Sequence, residues 1–107
     1  NQPGIQLLNL PDGSEPAWYQ FPIFLDAAIN RELVIEKLRD AHDIEAKGIY
    51  RPITHEGIFS DLNDGSLQSA EQTLLQSLCV PMHTGLSDSD IERVAVAVIS
   101  EIFEQLA

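Results

Sequence analysis

The sequence predicts an α+β domain of two layers: a short, mostly antiparallel sheet with helices packed on one face. Three observations lead there. Apolar residues recur at helical spacing in well-capped stretches. Aromatic and branched residues crowd into short runs closed by proline or glycine. The runs follow the order β, β, α, β, α, β, α, without full crossovers between all the strands. One domain over residues 1–107 is expected, a length able to bury well over half of its unfolded surface around a single core.

Gly4 to Leu10 opens the chain with Ile5, Leu7 and Leu8 and closes in Pro11-Asp12-Gly13, which reads as a short strand and turn. Ala17-Trp18-Tyr19-Gln20-Phe21-Pro22-Ile23-Phe24-Leu25 reads as a second strand. Pro22 lacks a ladder donor and pushes that strand toward an edge or bulge. Asn30 is a good N-cap for a helix over Arg31 to His42. Val34, Leu38 and Ala41 lie on its apolar side, and Glu32, Glu36, Lys37, Arg39 and Asp40 fill the other.

Ile44 to Ile53 is expected to be a strand ended by Pro52, and Glu56 to Ser66 a polar loop. Ser69-Ala70-Glu71-Gln72 fits a capping box for a short helix carrying Leu74, Leu75 and Leu78 inward. Leu78-Cys79-Val80-Pro81-Met82 is a brief apolar run expected as a strand. Ser87-Asp88-Ser89-Asp90 fits a second capping box, with acids at the positive helix end. A final helix from about Asp88 to Leu106 carries the stripe Ile91, Val94, Ala95, Val98, Ile102 and Leu106.

The charge is lopsided. Six Lys and Arg face 17 Asp and Glu, a formal −11. Phosphate backbones and anionic membranes repel such a surface, so neither nucleic acid nor membrane is an expected partner. The acid is read chiefly as a solubilising surface, with a basic partner as the functional alternative. The single cysteine, Cys79, permits no internal disulfide and suits a reducing, cytoplasmic setting. The first residues, Asn1 to Gly4, have neither the basic nor the apolar region of a signal peptide. With no initiator Met, the chain is expected to be a fragment or a processed product.

Chemistry is sparse. His42, His55 and His83 lie far apart and Cys79 is the only thiol, so no metal site is expected. Cys79 sits in an apolar run and reads as a small core residue rather than a nucleophile. Asp61 and Asp64 flank a turn and read as turn chemistry. Two stretches remain. Tyr50-Arg51-Pro52-Ile53-Thr54-His55 gathers a phenol, a guanidinium and an imidazole near a strand end, either as a site or as a surface where Arg51 pairs with nearby acids. Pro81 to Ser87 reads first as a turn and helix cap.

The pieces together resemble the C-terminal part of the DegT/DnrJ/StrS aminotransferases. Ser69-Ala70-Glu71-Gln72, followed by Leu78-Cys79-Val80-Pro81-Met82-His83-Thr84-Gly85-Leu86-Ser87 and an acidic helix start, is similar to that family's "A-E", short helix, "L-S-L-P-L-H-P-G-L-T" and final helix. Thr84 stands where proline is common, and Ser87 replaces threonine as cap. Trp18 to Ile23 resembles its aromatic "F-P-I" strand, Asn30 to Arg39 its "R-D-x-L-I-x-x-L" helix, and Gly48 to His55 the strand where "Y-x-P-L-H" is frequent. The resemblance runs from about residue 5 to residue 105. Position 54 is threonine where that histidine would fall, and His55 follows it.

The resemblance implies the small domain of a fold-type I aminotransferase. The parent would use pyridoxal phosphate to move an amino group onto a nucleotide-linked keto-sugar. It implies a large cofactor-binding domain and a homodimer mate as partners, with the Schiff-base lysine in that large domain. This chain has only Lys37 and Lys47, neither in such a context. Alone it is therefore expected to bind no cofactor and carry no catalytic residue. Tyr50, Arg51 and His55 would lie nearest the substrate cleft, with Arg51 holding a carboxylate or phosphate. The competing expectations are an interaction or regulatory module that kept this fold without the enzyme, and an unrelated acidic domain.

Overall fold

The computed structural model describes residues 2–107. Strand β1 is Ile5–Leu7 and strand β2 is Pro22–Leu25. Helix α1 spans Arg31–His42, helix α2 Gln68–Leu75, strand β3 Ser77–Cys79 and helix α3 Asp88–Leu106. Two 3-10 turns, Ile53–His55 and Gly57–Leu62, fill the stretch between α1 and α2. The three strands form one antiparallel sheet in the order β1-β2-β3.

Register decides which side of the sheet is core. Ile5 pairs with Leu25, and Ile23 with Leu78, so these four side chains share a face. Ile23, Leu25 and Leu78 form one cluster with Val34 and Leu38 of α1 and with Val94, Ala97, Val98 and Ile102 of α3. Leu38, Leu78, Val34 and Ile102 are each at most 1% exposed, so these elements define the centre of the core.

Both long helices begin and end where their sequences predict. The Asn30 side chain accepts the Leu33 N–H at 3.1 Å and caps α1, which closes on Asp43 in the left-handed region at φ 53°. Ser87 and Asp90 close a reciprocal capping box at the start of α3. Asp90 is held below the usual carboxylate range chiefly by the Ser87 hydroxyl and then by the Ser87 N–H.

The two helices are tied by polar contacts. Asn30 N–H donates to Gln105 Oε1 at 2.7 Å, and Gln105 Nε2 returns a bond to Asn30 O. His42 Nε2 lies 2.6 Å from Glu101 Oε1, and Arg93 donates to the His42 carbonyl at 2.8 Å.

Four expectations need correction. Pro22 does not put its strand at an edge: β2 is the central strand, and Pro22 is tolerated as its first residue. Ile44 to Ile53 is not a strand. It makes one isolated antiparallel bridge, Lys47 to Cys79, after which the Ile49 N–H goes to the Ser77 hydroxyl and Pro52 has no N–H to offer. Ser69 does not cap α2. The Glu71 N–H already bonds to the Leu67 carbonyl, so the helix opens ahead of Ser69 and leaves no box to close with Gln72. The apolar faces also shift at their margins. Ala41, Ala95 and Ile91 are exposed, while Ala97 is buried in their place.

No helix among the described residues is long and apolar enough to cross a membrane.

Candidate functional site

The segment leaving α1 is pinned along the open edge of β3. Ile44 and Ala46 enter the core. Lys47 and Cys79 exchange backbone hydrogen bonds, at 3.2 Å from Lys47 N and 2.6 Å from Cys79 N. Pro52 is buried, and the chain then turns through Ile53–His55. This path brings Tyr50, Arg51 and His55 into one exposed segment anchored at both ends of its polar stretch.

Tyr50 is 66% exposed. Arg51 Nε lies 3.8 Å from Glu56 Oε1, and both side chains are largely in solvent. An exposed pair of that length contributes little, so the guanidinium fork is free to take a stronger planar anion. His55 is more sheltered. Its Nε2 lies 3.7 Å from Glu71 Oε2, and the other oxygen of that carboxylate accepts the Thr54 hydroxyl. A phenol, a guanidinium and an imidazole presented together can bind an anionic or hydroxyl-rich ligand; no nucleophile stands among them.

Four residues with structural roles carry no clear signal in the sequence, three of them around this segment. Arg31, at the start of α1, is largely buried, and its Nη1 donates to the carbonyls of Leu74 at 3.1 Å and Ser77 at 3.3 Å. Gly48 passes so close that a Cβ there would sit 2.7 Å from the same nitrogen. Glu71 holds the Thr54–His55 turn, and its one signal was the Ala70-Glu71 pair of the resemblance. Glu101 is 8% exposed inside the apolar stripe of α3. A carboxylate at such a position signals a polar partner, here His42.

The other candidates resolve as structure. Pro81 to Ser87 is a turn: His83 Nδ1 accepts the Gly85 N–H at 3.1 Å, and the helix cap follows. Cys79 is buried, and burial pushes its thiol up against the opposing pull of the Lys47 charge, which suits a core residue. No cluster of metal-binding side chains occurs among the described residues.

An open cavity of about 830 Å³ lies elsewhere, between β1 and α3, lined by Leu7, Phe21, Val80, Met82, Ile91 and Val94 among others. It does not touch Tyr50, Arg51 or His55, and its lining contains no Asp, Glu, Lys or Arg. Lys37 and Lys47 are exposed and line neither this cavity nor the smaller one beside β1 and β2. Neither of these two cavities offers pyridoxal phosphate an amine or a cationic phosphate cup.

A comparison with curated proteins gives no match. Among solved structures, the aminotransferase TlmJ of Streptoalloteichus hindustanus is 28% identical with a TM-score of 0.84, over 99% of this chain and 28% of that one. PseC of Helicobacter pylori, an aminotransferase involved in pseudoaminic acid biosynthesis, is 24% identical with a TM-score of 0.70, over 79% of this chain and 24% of that one. A sugar aminotransferase of Micromonospora echinospora is 18% identical with a TM-score of 0.77, over 92% of this chain and 25% of that one. The last two likenesses establish the fold. The chain spans about a quarter of the length of these proteins. The sequence model of the DegT/DnrJ/EryC1/StrS aminotransferase family matches residues 1–99. With that match over most of its length, the chain belongs to the DegT/DnrJ/EryC1/StrS aminotransferase family.

Proposed function

We propose that residues 1–107 are the C-terminal small domain of a pyridoxal-phosphate-dependent aminotransferase acting on nucleotide-linked keto-sugars. The observation that carries this reading is the likeness to TlmJ, which takes in 99% of this chain but only 28% of the other. In this reading the cofactor and its lysine belong to the large domain, and pyridoxal phosphate supplies the electron sink there. A homodimer mate completes the assembly, and the working compartment is the cytoplasm. This chain contributes a wall of the substrate cleft. Arg51 binds a carboxylate or phosphate of the substrate, and Tyr50 and His55 line the same wall.

Arg51→Ala tests it in an aminotransferase polypeptide that contains this chain. Loss of a charge-assisted hydrogen bond costs about 1.5–3 kcal/mol, a fall of roughly ten- to hundred-fold in kcat/KM. Arg51→Lys recovers little where the contact is a two-pronged fork. Melting temperature stays near its original value, because the exposed side chain serves ligand rather than core. Unchanged kcat/KM would retire Arg51 from the site.

A further inference from the structure

The apolar face of α3 is wider than the core it meets. Val94, Ala97, Val98 and Ile102 enter that core. Ile91, Ala95 and Ile99 follow one another at steps of four, which makes them a separate ridge of the helix, and all three line the open cavity against β1. Phe103 is the next step of that ridge and is 62% exposed. No Asp, Glu, Lys or Arg lines the cavity, although the chain carries a formal −11. A radius of gyration of 15.2 Å, against about 13 Å for a compact domain of this size, agrees with a layer left uncovered.

The chain itself enters at this cavity. Gln2 is part of its lining, together with Leu7 of β1. Gly4 adopts φ 78° and passes so close to α3 that a Cβ there would lie 3.0 Å from Ile102 Cγ2 and 3.1 Å from Leu106 Cδ1. The Gln2 carbonyl accepts the Ile5 N–H at 3.2 Å, closing a turn of four residues. Such a turn reverses the chain. A segment joined ahead of Gln2 is therefore directed back along β1 and over the cavity rather than away from it.

We propose that the cavity seats an apolar α-helix, supplied by the segment of the aminotransferase polypeptide that immediately precedes this chain. The proposal rests on the small-domain reading, in which the likeness to TlmJ takes in only 28% of that protein and leaves the greater part of the polypeptide to supply the helix. Ala95 is the small central step of the exposed ridge and lets a second helix come close. Ridges of residues four apart, one from each helix, interdigitate at a crossing angle of about −50°. The seated side of the helix needs apolar residues three and four apart and no charge, since the lining offers none to pair with it. A second copy of this chain is the poorer occupant: it brings the same −11 and presents a groove where a ridge is needed. It holds the cavity only where the helix is missing.

Thiol labelling in an aminotransferase polypeptide containing this chain tests the proposal without reading turnover. Ala95 and Ser100 are both exposed on α3, and only Ala95 lines the cavity. Ala95→Cys is expected to react with a small maleimide about ten-fold more slowly than Ser100→Cys. Equal rates would overturn the proposal. Photo-methionine, a diazirine isostere, at Met82 then identifies the occupant, because Met82 is the one methionine of this chain and part of the lining. The expected cross-link joins Met82 to a peptide of the same polypeptide just ahead of Gln2, at a yield that does not change with concentration. A cross-link to a second copy of this chain, or to a distant segment, overturns the proposal. The reading beneath it fails separately. A polypeptide that gives the expected cross-link but transfers no amino group keeps the helix and retires the aminotransferase reading. An active aminotransferase with a fully reactive Ala95→Cys loses the helix and keeps the reading.

Discussion

Arg31 is the most exacting test of how this sequence makes its fold. The Nη1 nitrogen bridges the end of α2 and the start of β3 through the carbonyls of Leu74 and Ser77. The Leu74 carbonyl also accepts the Ser77 hydroxyl at 2.7 Å, so it keeps a partner when Arg31 is removed. The Ser77 carbonyl loses its charged donor in a partly buried place. One charged hydrogen bond and one weakened contact give an expected loss of about 2–3 kcal/mol for Arg31→Ala.

Gly48 supplies the second half of the argument. Its φ is not in the left-handed region, so alanine is sterically acceptable to the backbone and would gain about 0.4–1 kcal/mol through the unfolded state. The added Cβ, however, would stand 2.7 Å from Nη1 and 3.2 Å from Cζ of Arg31, whose head is pinned by its two carbonyls. Gly48→Ala is therefore expected to destabilise the chain when Arg31 is present. In the Arg31→Ala background it becomes neutral or stabilising. Urea unfolding followed by far-ultraviolet circular dichroism reads all four corners of the cycle. A cost for Gly48→Ala that is the same with and without Arg31, or an Arg31→Ala loss below about 0.5 kcal/mol, would refute the reasoning.

Two further outcomes follow from the cap and the cavity. Ser87→Ala costs about 0.5–2 kcal/mol of stability at neutral pH. The folded Asp90 carboxyl lies below its reference value of 3.8, so its contribution is full above that value and is lost as pH falls through the depressed one. Asp90→Asn removes that part of the acid-unfolding profile, and an unchanged profile would count against the box. The uncharged cavity between β1 and α3 exposes Leu7 and Ile91, at 58% and 54%, and drives concentration-dependent association of this chain in sedimentation. Leu7→Lys with Ile91→Lys restores the monomer, whereas a chain that is already monomeric at millimolar concentration refutes the claim.

The parts of the fold that were legible are those whose information is local. Asn30 and Ser87 cap helices whose apolar residues recur within a few positions, and both ranges follow directly. The sheet was harder, because a strand is defined by its partner. Gly48 to Ile53 has strand-like residues, yet the N–H of Ile49 finds a serine hydroxyl rather than a carbonyl ladder. The start of α2 was misplaced because Ser69 looks like a cap, while the turn that launches the helix was set earlier by Asp64, Gly65 and Ser66. The site divides in the same way. Tyr50, Arg51 and His55 are neighbours in sequence and so enter the candidate site together. Glu71 lies 17 residues from Thr54, and no periodicity links the two.

The distribution of charge and apolar surface bears on which reading of the family fits this chain. An acidic surface with a formal −11 would by itself keep an isolated module dispersed. The acids are nevertheless absent from the lining of the cavity between β1 and α3. Ile53, Ile58 and Leu62 are 60%, 85% and 76% exposed in the turns next to Tyr50. A module working alone has no reason to keep such residues uncovered, since replacing them with polar ones would cost its core nothing. Exposed apolar residues outside the core are those expected where a larger body packs. Ile53, Ile58 and Leu62, unlike the cavity, adjoin the turn that presents Arg51 and His55. On the proposed small-domain reading, these exposed apolar turns would be where a larger domain packs beside Arg51 and His55.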